Sequence, residues 1–165
     1  MRRKLQLLLL IVVVIAVDQW TKAITRRMLI GDSPRHFGIV TLLYTTNAGA
    51  FLSIGSNLSA DVRAAIFSGI VTIALGAAAL ALFAGKIQSA PDEVALSLIL
   101  GGGVGNLIDR LRFSGRVTDF LYLAAGPLHT GVFNIADMAI TAGILWLLIS
   151  WGAASYSSMR KRRMR

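Results

Sequence analysis

The chain has 165 residues, 55% of them apolar and 15% charged, with a mean hydropathy of +0.68 and a net charge of +9. That is enough for one domain, and its long uncharged runs exclude an ordinary soluble core in favour of a polytopic membrane protein. There is no cysteine, which excludes disulfides, thiol nucleophiles and thiolate metal sites; two histidines, His36 and His129, are too few for a histidine-built zinc site.

In chain order, Arg2, Arg3 and Lys4 precede the apolar run Leu5–Val17. This resembles a secretory signal, but no A-x-A pattern follows, and the polar residues that do follow keep helical spacing. Asp18 and Lys22 are four apart, on one face of a helix that reads as a first span from Leu5 to about Ile24, with Trp20 at the interface level. Their pairing suits either a plain helix-end salt bridge or a site. The stretch 28–60 is not a span: Gly31, Asp32, Pro34, Gly38, Gly49, Gly55 and Asn57 interrupt it. Phe37–Tyr44 suits one or two short strands. Asn47-Ala48-Gly49-Ala50-Phe51 suits a turn, in a segment apolar enough to lie on the membrane surface.

Ala64–Ala84 is 21 residues without a charge, a full second span, and Ser59, Ala60 and Asp61 offer caps before it. Val94–Ile108 is uncharged but short, and Gly101, Gly102, Gly103 and Gly105 allow either close helix approach or a bent backbone. It reaches full length only if Asn106, Asp109 and Arg110 lie at its outer end. Leu111–Gly131 is a loop region carrying Asp119, broken by Gly126 and Pro127. Phe133 to about Trp151 is the fourth span, opening with Asn134 and Asp137, and a tail with Arg160, Lys161, Arg162, Arg163 and Arg165 closes the chain. The expected organisation is one integral membrane domain over 1–165, with spans at about 5–24, 62–84, 93–110 and 133–152, outer regions at about 28–60 and 111–132, and a basic tail at 155–165. Four spans put both termini on one side, and the eight terminal basic residues make that side cytoplasmic. Beside apolar helices such clusters fit anionic lipid headgroups better than nucleic acid. Arg26, Arg27, Arg35, Arg63, Arg110, Arg112 and Arg116 then fall near the outer face.

This topology collects Asp18, Lys22, Asn106, Asp109, Arg110, Asp119, Asn134 and Asp137 at one level, the outer edge of the bilayer. A carboxylate within a span costs roughly 2.5–3.5 kcal/mol, so such residues face the interior and are paired or functional. Two carboxylates held close share a proton and titrate as a unit, an arrangement suited to peptide hydrolysis by an ionised base and a protonated acid, with no metal, cofactor or covalent intermediate. On chemistry alone the pair stays open. Asp109 adjoins Arg110 and Asp18 has Lys22, which leaves Asp119 and Asp137 as the better candidates unless Arg110, Arg112 or Arg116 ties them up. A proton-coupled transporter would spread polar groups through the depth of several spans. Ala64–Ala84 has only Ser68 and Thr72, and Met138–Trp151 only Thr141 and Ser150. A lipid-binding scaffold gives no reason for such carboxylates.

The combination Asp18-Gln19-Trp20-Thr21-Lys22, Asn47-Ala48-Gly49-Ala50-Phe51, GGGVGNLIDR, GRVTDF and FNIADM resembles the bacterial lipoprotein signal peptidases, the type II signal peptidases, over nearly the whole chain. The resemblance implies an all-α polytopic fold: four transmembrane helices, a small extracytoplasmic β-cradle and a short periplasmic helix or loop, suiting Phe37–Ala60 and Arg112–Gly126. It implies an aspartic endopeptidase with Asp119 and Asp137 as catalytic dyad. Asp18, Lys22, Asn47, Gly49, Asn106, Asp109, Arg110 and Asn134 would support the site or bind substrate. Implied partners are diacylglyceryl-modified prolipoproteins, cleaved on the amino side of the lipid-bearing Cys, and membrane phospholipids. The expected form is a monomer in the bacterial inner membrane, both termini cytoplasmic, its active site near the periplasmic face. Against the family pattern, the Asn47–Phe51 motif is one alanine shorter, the Arg110–Asp119 loop is one residue longer, and Met138 stands where a small or hydroxyl residue is common.

Overall fold

A computed structural model describes residues 1–47 and 59–163. Among them, four helices are long and apolar enough to cross a membrane. They are α1 (Arg2–Leu29), α2 (Ala60–Phe83), α3 (Ala90–Arg112) and α4 (Ile135–Arg163). α2, α3 and α4 each begin where a side chain satisfies a free backbone N–H group. Ser59 Oγ accepts from Val62 N at 3.3 Å before α2, and Ser89 Oγ accepts from Asp92 N at 3.5 Å before α3, with Pro91 in the first turn. The first helix continues past Ile24 to Leu29, its last turn carrying Arg26 and Arg27.

The bundle centres on α3. Half of its most apolar window is buried, against 22% for α1 and 11% each for α2 and α4. Small residues permit this. A Cβ on Gly101 would lie 2.7 Å from Val14 Cβ, and one on Gly103 would lie 2.5 Å from Leu75 Cδ2. α3 therefore touches α1, α2 and α4 at once. The apolar core is small: Leu7, Ile11, Leu82 and Leu100, with Leu75 and Phe83 against them. Large apolar side chains such as Val13, Ile73, Leu80 and Ile149 instead face outward, as a lipid solvent requires.

Polar contacts mark both ends of the bundle. At one end Lys4 Nζ donates to Phe83 O at 2.7 Å, and Arg3 Nε meets Glu93 Oε2 at 2.6 Å. Trp146 Nε1 and Ser150 Oγ donate to Asp92 at 3.0 and 3.2 Å. This ties the start of α1, the end of α2, the start of α3 and the middle of α4 together.

At the other end sits a four-stranded antiparallel sheet, order β1-β2-β3-β4, made of β1 (Arg35–Phe37), β2 (Val40–Asn47), β3 (Val117–Ala125) and β4 (Leu128–His129). The expected strands at Phe37–Tyr44 lie within β1 and β2. The expectation of a loop at Asp119 is corrected: Asp119 is a strand residue, paired with Thr45 on β2. Val117, Thr118 and Phe120 around it are β-branched or aromatic, and all four positions are buried. On its other edge β3 meets Phe133, whose N and O bond Leu121 at 2.9 Å in both directions. This bridge delivers the chain to the start of α4. Among the described residues no further helix stands beside the four; residues 48–58 lie outside them.

Candidate active site

The site is built where β3 lies across the ends of α1, α3 and α4. α4 opens with a reciprocal cap. Asn134 Oδ1 accepts from Asp137 N at 2.9 Å, and Asp137 Oδ2 accepts from Asn134 N at 3.2 Å. Asn134 is therefore fixed, and its Nδ2 reaches Asp119 Oδ1 at 2.6 Å, Thr118 O at 3.2 Å and Asn106 Oδ1 at 3.2 Å. Asn106, on α3, donates its own Nδ2 to Asp137 Oδ1 at 2.8 Å. Two asparagines thus join Asp119 and Asp137 in one network. Asn47 also hydrogen-bonds Asp119. The register explains this: Asn47 pairs with Val117, two residues from Asp119 and on the same face of the sheet.

Beneath this layer lies a buried charge cluster. Lys22 and Asp18 are 2.8 Å apart with both side chains fully buried, and Lys22 Nζ also donates to Asn106 Oδ1 at 2.8 Å. Asp18 Oδ1 accepts from Ala136 N at 3.0 Å, which pins the first turn of α4 to α1. Asp109, also fully buried, is 3.6 Å from Lys22 and 3.7 Å from Arg26, and its Oδ2 accepts from Thr118 N at 2.9 Å. The expected Asp109–Arg110 pairing is therefore corrected: the cations at ion-pair distance from Asp109 come from α1. Adjacent residues on a helix point in different directions, so Arg110 cannot share the face that Asp109 presents to α1. Arg110 is half-buried and lies within electrostatic reach of Asp137, Asp119 and Asp109.

Asp119 is 3% exposed. Burial pushes its carboxyl up to about 6 from an ordinary 3.8. The Asn134 bond opposes that rise, the neighbouring Asp137 charge adds to it, and the Asn47 bond and Lys22 oppose it. Asp137 is half-buried, and both of its oxygens act as acceptors.

Of the ten residues singled out in the sequence, the structure gathers Asp18, Lys22, Asn47, Asn106, Asp109, Arg110, Asp119, Asn134 and Asp137 at one end of the bundle. Gly49 lies outside the described residues. Three participants were not anticipated. Gln19 Nε2 bridges Asp18 Oδ2, Asp109 Oδ1 and Gly105 O at 3.2, 3.2 and 3.0 Å. Arg26 continues the stripe Asp18, Lys22 at one further helical repeat, a signal the sequence did carry. Thr118 had none, because its value comes from a strand buried on both faces. Among the described residues no group of three or more His, Cys, Asp or Glu is placed to hold a metal ion.

The chain resembles known proteins along most of its length. The family model for signal peptidase (SPase) II matches residues 10–152. A lipoprotein signal peptidase of Syntrophotalea carbinolica is 40% identical over 87% of this chain and 89% of its own. One from Francisella tularensis subsp. novicida is 37% identical over 98% of both. A solved structure described as a bacterial membrane enzyme, determined by the in meso method at 2.3 Å resolution, superposes with a TM-score of 0.73 at 31% identity, covering 91% of this chain and 89% of that one. Matched along nearly its whole length in sequence and in fold, this multi-pass membrane protein belongs to the lipoprotein signal peptidase family, the peptidases called signal peptidase II.

Proposed function

We propose that the chain is an aspartic endopeptidase of the bacterial inner membrane. It removes signal peptides from diacylglyceryl-modified prolipoproteins by cutting on the amino side of the lipid-bearing Cys. The observation that carries this reading is the joining of Asp119 and Asp137, through Asn134 and Asn106, at one end of the bundle. Placed at the outer membrane surface, such a pair meets both water and the junction between a membrane-embedded signal peptide and a lipid-anchored Cys.

The chemistry divides between the two acids. Asp137 accepts hydrogen bonds at both oxygens, the pattern of an ionised carboxylate, and serves as general base toward water. Asp119, whose burial favours its protonated form, donates to the scissile carbonyl oxygen as water attacks the carbonyl carbon. Proton return to the departing amide nitrogen then breaks the C–N bond. Asn134, Asn106 and Asn47 hold the carboxyls in place, and Arg110 supplies positive potential beside them. The enzyme works as a monomer among phospholipids, with both termini in the cytoplasm.

The test is cleavage of a lipid-modified prolipoprotein by the reconstituted protein. Asp119→Asn and Asp137→Asn should each lower kcat by about 10²–10⁴-fold, the range for loss of a general acid or base. A strong chelator should leave the wild-type rate unchanged. Near-normal cleavage by either variant ends the dyad assignment, and inhibition by the chelator points to a metal-dependent reaction instead.

A further inference from the structure

We propose that Arg26 is a positioning residue that latches the strand bearing Asp119 to the first membrane helix, an inference that rests on the dyad reading above. Arg26 Nη1 donates to Thr118 Oγ1 at 2.9 Å and stands 3.7 Å from Asp109 Oδ1. Its guanidinium carbon lies 4.5 Å from the centre of the Phe113 ring, which closes over it from the end of α3. One guanidinium thus touches α3, the turn after α3, and β3.

The fixed partner is Thr118, 1% exposed. Its N–H is held by Asp109, its hydroxyl by Arg26 and its carbonyl by Asn134. Asp119 is the next residue, so three anchors on Thr118 set where the Asp119 carboxyl projects. Two of them come from α3 and α4; Arg26 provides the one from α1. The same residue completes the charge balance beneath the dyad. Asp18 and Asp109 face Lys22 and Arg26, two anions against two cations, with Gln19 bridging the anions. An exposed ion pair of this kind would contribute little. Here the acid is fully buried and the cation stacks on an aromatic ring, so the contact is shielded from solvent.

Removing Arg26 should act in two ways. The start of β3 loses its side-chain latch, which misplaces the acid relative to the base. The site also loses a positive charge. Asp119 faces Asp137 from α4, Lys22 from α1 and Arg110 from α3; without Arg26 the layer beneath them loses a cation, which favours the protonated form of Asp119.

The experiment compares Arg26→Ala, Arg26→Lys, Thr118→Val and Asp119→Asn in reconstituted full-length protein, measuring kcat, KM, the pH profile of kcat/KM and Tm. Arg26→Ala should lower kcat about 10- to 100-fold, the cost of a small misplacement of a reacting group, with KM little changed. Its alkaline limb should move to higher pH. Thr118→Val keeps the strand's shape and all charges, so it should lower kcat without moving that limb. Arg26→Lys should restore the limb and recover kcat in part. If Arg26→Ala or Thr118→Val keeps the wild-type kcat while Asp119→Asn is inactive, the latch is refuted and the dyad stands. A drop in Tm with unchanged kcat per folded enzyme also refutes the latch. Cleavage by Asp119→Asn would overturn the dyad itself, and the latch with it.

Discussion

Asp119 carries a cost that the acid's role proposed for it would explain. Its ordinary value of 3.8 is raised to about 6, chiefly by burial, so the folded protein binds a proton there more tightly than the unfolded chain does. The associated stability is fully present below the ordinary value and is lost as pH rises through about 6. That displacement corresponds to about 3 kcal/mol. Asp119→Asn is neutral at every pH, so its Tm should match wild type near pH 4 and exceed it near pH 8. Equal Tm values at both would mean that the buried anion costs nothing. The same titration should appear in activity. If Asp119 is the acid, kcat/KM of the free enzyme falls as pH rises through about 6. A flat profile across that range would remove Asp119 from the acid's role. At this scale the sequence was informative where spacing is local. Asn134 and Asp137 sit three apart ahead of an apolar run, the spacing of a helix cap. It misled at Asp109, because the nearest cation in sequence points away and the true partners belong to another helix.

Among the elements, α3 sets the geometry, and its glycines mark where backbones approach. A Cβ on Gly102 would run into the Ala136 carbonyl oxygen and come within 2.8 Å of Ile140 Cγ1. Ala136 immediately precedes Asp137, so this contact lies one residue from a carboxyl of the proposed dyad. Gly102→Ala should therefore destabilise the bundle by about 1–3 kcal/mol, as overpacking does, and should also depress cleavage by pushing the start of α4 outward. Gly76, in α2, meets nothing within 4 Å. Gly76→Ala should leave activity intact and, by helix propensity, stabilise the protein by up to about 1 kcal/mol. Thermal unfolding and cleavage of the two variants side by side decide the matter; equal behaviour would mean that the helix α3–α4 contact does not set the site. The run Gly101-Gly102-Gly103 allowed two sequence readings, close approach or bent backbone. The continuous helix Ala90–Arg112 resolves them in favour of close approach. The strand at Asp119 was less legible, since its pairing partners, Thr45 on one edge and the stretch at Phe133 on the other, are distant in sequence.

For the whole molecule the open matter is which way it sits in the bilayer. Basic residues lie at both ends of the bundle, so a simple count does not orient it. At the sheet end Arg26 faces Asp109, Arg35 is 3.4 Å from Asp32, Arg116 grips Thr46 through its hydroxyl and carbonyl at 2.8 and 3.0 Å, and Arg110 stands beside the dyad. At the opposite end Arg3 and Lys4 are partnered too, by Glu93 and Phe83 O, so pairing does not distinguish the two sides; the terminal clusters differ in being dense and having no acidic neighbour in sequence. By the positive-inside rule we propose that the termini, and with them the α2–α3 connection, face the cytoplasm, and that the sheet with the proposed dyad lies outside. The absence of native cysteine makes this directly measurable. Leu128→Cys, at a position 76% exposed on β4, should react with a membrane-impermeant maleimide in intact spheroplasts. Gln88→Cys, exposed between α2 and α3, should react only after the membrane is opened. The reverse pattern would put the dyad on the cytoplasmic side, where it could not meet substrates exported across the membrane.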